Sequence, residues 1–124
     1  MRFLHEQHLR RQTEIRAVRE EGQRLDCRSF TAWCRLRPED AGTQATRKPR
    51  LVVAASIAAV GPSVQRNRAK RRLREIFRLR QDLLPPGCDL LLVARAAVNG
   101  RAFAELDKVF VEACHRITRQ AQSQ

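Results

Sequence analysis

The stretch from Arg66 to Arg80 constrains this chain most, because it reads at once as a helix and as a cationic surface. Ala69, Leu73, Ile76 and Phe77 recur at spacings of three and four, and Leu83 and Leu84 continue the stripe. That is the period of a helix with one face on a core. Arg66, Arg68, Lys70, Arg71, Arg72, Arg74, Arg78 and Arg80 are basic, and Glu75 alone is acidic. On a helical wheel Lys70, Arg71, Arg74 and Arg78 project away from the apolar stripe. Arg80 falls near it, so its stem is expected to snorkel or its head to pair with an acid. An ordinary solvated helix face mixes signs. Like charges at i,i+4, such as Arg66/Lys70, Lys70/Arg74 and Arg74/Arg78, each cost a few tenths of a kcal/mol. A polyanion removes that cost.

The rest of the composition agrees. The formal charge is +12 over 124 residues, with a pI near 11.4. Charge of this size speaks to partners rather than to fold. Nucleic acid comes first, an anionic membrane second and acidic proteins third. The membrane reading is weak: the apolar run Leu51 to Val60 is about half the length that spans a bilayer. The residues from Met1 to Glu6 lack the apolar core of a signal peptide, so a cytoplasmic protein is expected. The length suits one domain with a single modest core.

Protein-borne chemistry is hard to find. Cys27, Cys34, Cys88 and Cys114 form no C-x-x-C pair and match no zinc-ligand spacing, so they read as core residues. His5, His8 and His115 join no recognisable catalytic set. The acids are scattered, and no D-x-D pair suggests a two-metal nuclease site. No catalytic residue and no metal ligand is assigned to the polypeptide.

Along the chain, residues 1–8 read as a flexible leader. A helix is predicted from Leu9 to Glu21, with Ile15 and Val18 on one face and Gly22 as its C-cap. Residues 26–37 read as one strand, with Phe30, Ala32, Cys34 and Leu36 on one face and Thr31, Trp33 and Arg35 on the other. Pro38 to Pro49 is a polar loop. Leu51 to Val60 suits a strand covered on both faces. Gly61-Pro62 ends it, and Ser63 is a candidate N-cap for the basic helix. Pro85-Pro86-Gly87 stops that helix, and Asp89 to Arg95 reads as a short buried strand. A last amphipathic helix, with Asn99 as its candidate N-cap, turns Phe103, Leu106, Val109, Phe110, Ala113 and Ile117 inward. Residues 119–124 read as a flexible tail. The class is α+β, in the order α-β-β-α-β-α, with room for an extra short strand.

Arginine outnumbers lysine in the basic helix, which suits bidentate contact with phosphates and base edges. A sheet beside a helix nearly saturated with cations is unlike an all-helical DNA reader, so folded RNA is favoured over a DNA-regulator reading. Trp33 could stack a single-stranded base or be a partly buried core aromatic. A ribosomal or RNA-chaperone-like protein with no enzymatic partner remains the alternative function.

At Arg66-Asn67-Arg68-Ala69-Lys70-Arg71-Arg72-Leu73-Arg74-Glu75 the sequence resembles the protein-subunit family of bacterial ribonuclease P, whose box is R-N-R-x-[KR]-R-x-x-R-[EQ]. Gly61 and Val64 match the family's G-x-x-V lead-in, and Asp89 to Arg95 is similar to its D-hydrophobic-A-R strand. The segment from Leu9 to Gly22 is similar to its opening helix. The resemblance covers about residues 9–118, the expected RNA-binding domain.

It implies an α/β sandwich with a left-handed βαβ crossover. It also implies that a large RNA subunit, using bound Mg²⁺, hydrolyses the phosphodiester that releases the 5′ leader of precursor tRNA. The protein, expected at one per RNA, would bind that RNA through Arg66, Asn67, Arg68, Lys70, Arg71, Arg72 and Arg74, with Arg78 on the same helix. Asn67 could serve as a base-edge contact or as a structural bond. The leader would lie in a cleft between the first helix and the sheet, lined by Ile15, Arg19, Trp33, Arg35 and Arg95. This chain departs from the family in that cleft. Ile15 and Arg19 stand where aromatics are common, and Ala58 and Ala59 stand where lysines are common. Leader binding is then weaker, or rests on Arg16, Arg19, Arg35 and Arg95.

Overall fold

Four strands form one sheet, with helices on both of its faces. The structure is a computed structural model that describes residues 12–37 and 48–122. The expected leader, residues 9–11 of the opening helix, most of the polar loop and the last two residues of the tail lie outside these. Helix α1 (Gln12–Glu21) leads into β1 (Gln23–Asp26) and β2 (Phe30–Leu36). Strand β3 (Arg50–Ala54), the short α2 (Ile57–Val60) and the basic helix α3 (Ser63–Arg80) follow. After a 3-10 turn (Gln81–Leu83) come β4 (Cys88–Ala94), the short α4 (Ala97–Gly100) and α5 (Phe103–Gln122). The strand order is β1-β2-β4-β3, with β3 parallel to β4 and the other pairs antiparallel.

One face of the sheet carries the main core. Phe30, Ala32 and Cys34 of β2, Leu51 and Val53 of β3, and Cys88, Leu90, Leu92 and Ala94 of β4 meet α3 and α5 there. From α3 come Ala69, Leu73, Ile76 and Phe77, all fully buried. Burying one Leu, Ile or Phe contributes about 1.5–3 kcal/mol, against a few tenths for each like-charge pair, so packing fixes the helix despite its cations. Phe30 meets Phe110 of α5 at 6.4 Å between tilted rings. The four cysteines are buried and free.

The opposite face carries a smaller cluster. Val18 of α1 and Leu91 are buried, with Ile15, Trp33, Val52 and Val93 packed around them. Gly22 makes this crossing possible. Its amide donates to the Val18 carbonyl at 3.0 Å, closing α1 as expected. A Cβ there would lie 2.3 Å from the Val18 oxygen and 2.5 Å from the Cys34 oxygen. Close backbone approach, rather than unusual φ, requires the glycine.

Several boundaries differ from the sequence pattern. The strand expected over 26–37 runs over Phe30–Leu36, and an extra short strand, β1, pairs with it through a turn: Asp26 accepts from the Arg28 amide at 3.0 Å, and Arg28 takes a left-handed φ of 66°. An Asp bonding two residues ahead is a turn former, and it splits off β1. The strand expected to reach Val60 ends at Ala54, the last residue paired with β4. Ser56 then caps α2 by accepting from the Ala59 amide at 3.1 Å, leaving Ile57 68% exposed. Helix α3 begins after Pro62, without a side-chain cap from Ser63. Asn99 lies inside α4 instead of capping α5. Leu36, expected inward, is exposed at the end of β2. Helix α5 continues to Gln122, past the boundary expected at residue 118.

Candidate nucleic-acid interface

Packing the apolar stripe of α3 onto the sheet turns its cations outward. Asn67, Arg68, Arg71 and Arg74 are exposed, and Arg66 and Lys70 are half-buried. Among the described residues none of these five cations makes an ion pair, and the Asn67 side chain makes no hydrogen bond. Asn67 is therefore open to a base edge or a phosphate. The Arg66 Nε is buried without a hydrogen-bond partner.

The other arginines of the helix are engaged by the protein. Arg72 turns toward α5, donating to the Arg101 carbonyl, with its guanidinium 5.9 Å from the Phe103 ring centroid. Asn99 braces the same corner by donating to the Gln65 carbonyl at 2.9 Å. Arg78 donates to Glu75 at 3.1 and 2.5 Å, which holds the Glu75 carboxyl below its usual range. Arg80 grips Asp107 through hydrogen bonds of 2.8 and 2.7 Å, and Asp107 is likewise lowered. The pairing anticipated for Arg80 is thus found. Of the eight residues expected to contact RNA, six make no ion pair among the described residues and form the open face, while Arg72 and Arg78 have partners within the protein.

A second polar surface lies on the α1 face of the sheet and gathers the five expected cleft residues. Ile15 and Trp33 both pack there against the cluster of Val18 and Leu91, and both are half-buried. Arg19 from α1 and Arg24 from β1 place their guanidiniums 5.7 and 5.8 Å from the Trp33 ring centroid. Arg24 is cross-strand from Trp33. Arg35 pairs with Glu21 at 2.8 Å. Arg95 pairs with Asp26 at 3.3 Å and donates to the Thr31 hydroxyl at 2.9 Å. The Arg28 amide, first, and the nearby arginines lower the Asp26 carboxyl.

Below this surface Asp89 is fully buried. It accepts two hydrogen bonds of 2.8 Å from Arg50 and another from Arg37, and Arg50 also reaches Glu14 of α1 at 2.8 Å. The chain Arg37–Asp89–Arg50–Glu14 ties α1 to two strands. The sequence pattern did not reveal this network, since its members are far apart in the chain. Arg24 was missed for a different reason. The alternation Gln23-Arg24-Leu25-Asp26 carries a strand signal, but four residues directly after a helix cap are too short to stand out by period alone. Among the described residues no group of three His, Cys, Asp or Glu comes together to hold a metal ion, and no helix is long and apolar enough to cross a membrane.

Known proteins resemble the chain along most of its length. The family model described as Ribonuclease P matches residues 3–118. The ribonuclease P protein component of Desulfosudis oleivorans is 33% identical over 84 residues, which is 67% of this chain and 69% of that protein. The component from Clostridium kluyveri is 46% identical over 50 residues, 39% of this chain and 45% of that protein. The RNase P protein from Thermotoga maritima superimposes with a TM-score of 0.72 at 23% identity, covering 89% of this chain and 96% of that one. The Staphylococcus aureus RNase P protein gives 0.70 at 18% identity, covering 90% and 94%. At these identities the two structures establish the fold.

Proposed function

The chain belongs to the ribonuclease P protein family, and on that premise we propose that it is the protein subunit of a tRNA-processing ribonucleoprotein endonuclease. In this reading the open face of α3 binds the catalytic RNA. Arg68, Lys70, Arg71 and Arg74 neutralise phosphates and release counterions, while Asn67 and Arg66 supply directed hydrogen bonds. The α1 face of the sheet, centred on Trp33, holds the 5′ leader of precursor tRNA.

The hydrolytic chemistry belongs to the RNA with its Mg²⁺. Asp89 and Asp107 are engaged by arginines, and among the described residues no group of three His, Cys, Asp or Glu comes together to hold a metal ion. The protein contributes affinity and positioning, with one protein to one RNA.

The observation that carries this reading is the division of α3. Its buried stripe and the pairs at Arg72, Arg78 and Arg80 fix the helix, leaving a contiguous set of unpaired cations on the outside. The test is co-purification. RNase P RNA should be enriched with the tagged protein, and Arg68→Ala with Arg74→Ala should abolish the enrichment. Recovery of ribosomal RNA with no RNase P RNA contradicts the proposal.

A further inference from the structure

Five arginines on the α1 face of the sheet fall into two chemical groups. Arg35, Arg50 and Arg95 direct their N–H groups at carboxylates, namely Glu21, Asp89 with Glu14, and Asp26. Each such pair presents no net charge, and donors aimed at a carboxylate are not aimed at a phosphate. Arg19 and Arg24 instead lie against the Trp33 ring, and neither makes an ion pair among the described residues. A cation–π contact takes up none of the N–H donors that an ion pair would engage, so the donors of both guanidiniums stay available. Both residues are exposed, and they come from different elements, so α1 and β1 must both be in place to bring them together.

We infer that Arg19 and Arg24, gathered on Trp33, are the cations that contact the leader, and that they contact its phosphates rather than its bases. This rests on the leader-binding part of the proposed function and adds Arg24 to the site. Trp33 serves as the platform that holds two guanidiniums over one patch. With its ring already attended by two arginines, it is a poor surface for a stacked base. The leader is therefore bound with little regard to its sequence. The exposed pairs are a reserve: removing a carboxylate frees an arginine for the same surface.

The experiment measures the affinity of the reconstituted protein–RNA complex for precursor tRNA, for precursor tRNA with an abasic leader, and for mature tRNA. Wild type should bind the abasic-leader substrate within about twofold of the ordinary one. A single-stranded phosphate contact contributes about 0.7 to the salt slope, so Arg19→Gln with Arg24→Gln should remove about 1.4 and weaken leader-bearing substrate about five- to tenfold. Mature tRNA affinity should not change. Glu21→Gln, by freeing Arg35, should strengthen leader binding about threefold and steepen its salt dependence. An abasic leader bound no better than mature tRNA overturns the inference, as does a double variant with wild-type leader affinity or a Glu21→Gln protein with no gain. A wild-type complex that does not distinguish leader-bearing from mature tRNA overturns the leader reading itself, and this inference with it.

Discussion

Arg50 grips Asp89 through two parallel hydrogen bonds of 2.8 Å, Nε to Oδ1 and Nη2 to Oδ2, around a carboxylate with no solvent exposure. Such a pair is a poor source of net stability but a costly one to break, because a buried charge is left without its partner. Here Asp89 holds both Arg37 and Arg50, so removing its charge takes an anion from two guanidiniums at once, leaving Arg37 on the Lys48 carbonyl and Arg50 on Glu14. Asp89→Asn should destabilise the fold by about 3–5 kcal/mol. Chemical denaturation checks this, and a loss under about 1 kcal/mol would show that water reaches the site and restores the lost bonds.

The two groups of arginines on α3 should respond differently to truncation. Arg68→Ala or Arg74→Ala should leave the melting temperature nearly unchanged. Each should lower the salt slope of RNA binding by somewhat under one unit. Arg80→Ala removes a pair to Asp107 that is partly exposed and screened by solvent, so it should cost little stability and little RNA affinity. Paired salt titrations and thermal melts on the three variants separate the roles.

Gly22→Ala should be destabilising by about 2 kcal/mol or more, because the added methyl meets the carbonyls of Val18 and Cys34 and the backbone must move. The cost falls on the docking of α1. Exchange of the α1 amides with solvent should therefore quicken more than exchange in α3.

The buried thiols set an alkaline limit. Burial, first, and the neighbouring thiols raise Cys114 to about 12, and burial also raises Cys27. Cys88 is raised as well, through its contact with Cys34, whose Sγ lies 3.2 Å away. A thiol that stays protonated when folded binds its proton longer than the unfolded chain does. The contribution of Cys114 is thus fully present below pH 9 and falls as pH rises from 9 toward about 12, by about 1.4 kcal/mol per pH unit, and Cys27 and Cys88 act in the same direction. Cys114→Ala should flatten the decline in melting temperature over that range.

The sequence made local features plain and concealed long-range ones. The stripe Ala69, Leu73, Ile76 and Phe77 specified which face of α3 is buried, and alternation placed Trp33 opposite Phe30, because side-chain direction follows from helix and strand periods. Periodicity has nothing to say where a polar side chain finds its partner. Arg37 meets Asp89 across 52 positions of sequence, and Arg72 meets the Arg101 carbonyl only once α5 has docked. The apolar run from Leu51 to Val60 hid the end of β3, since an exposed Ile57 and a buried Val53 look alike until Ser56 is seen to cap a helix. The open cations of α3 were therefore legible as a set, but which of them were free to bind was not.

Cleavage of precursor tRNA by the reconstituted complex tests the central claim most directly. With its cognate RNase P RNA in low Mg²⁺, this protein should raise the rate of 5′ leader removal well above that of the RNA alone, and Arg68→Ala with Arg74→Ala should return it to the RNA-alone level. A rate no higher with the wild-type protein than without it would contradict the account.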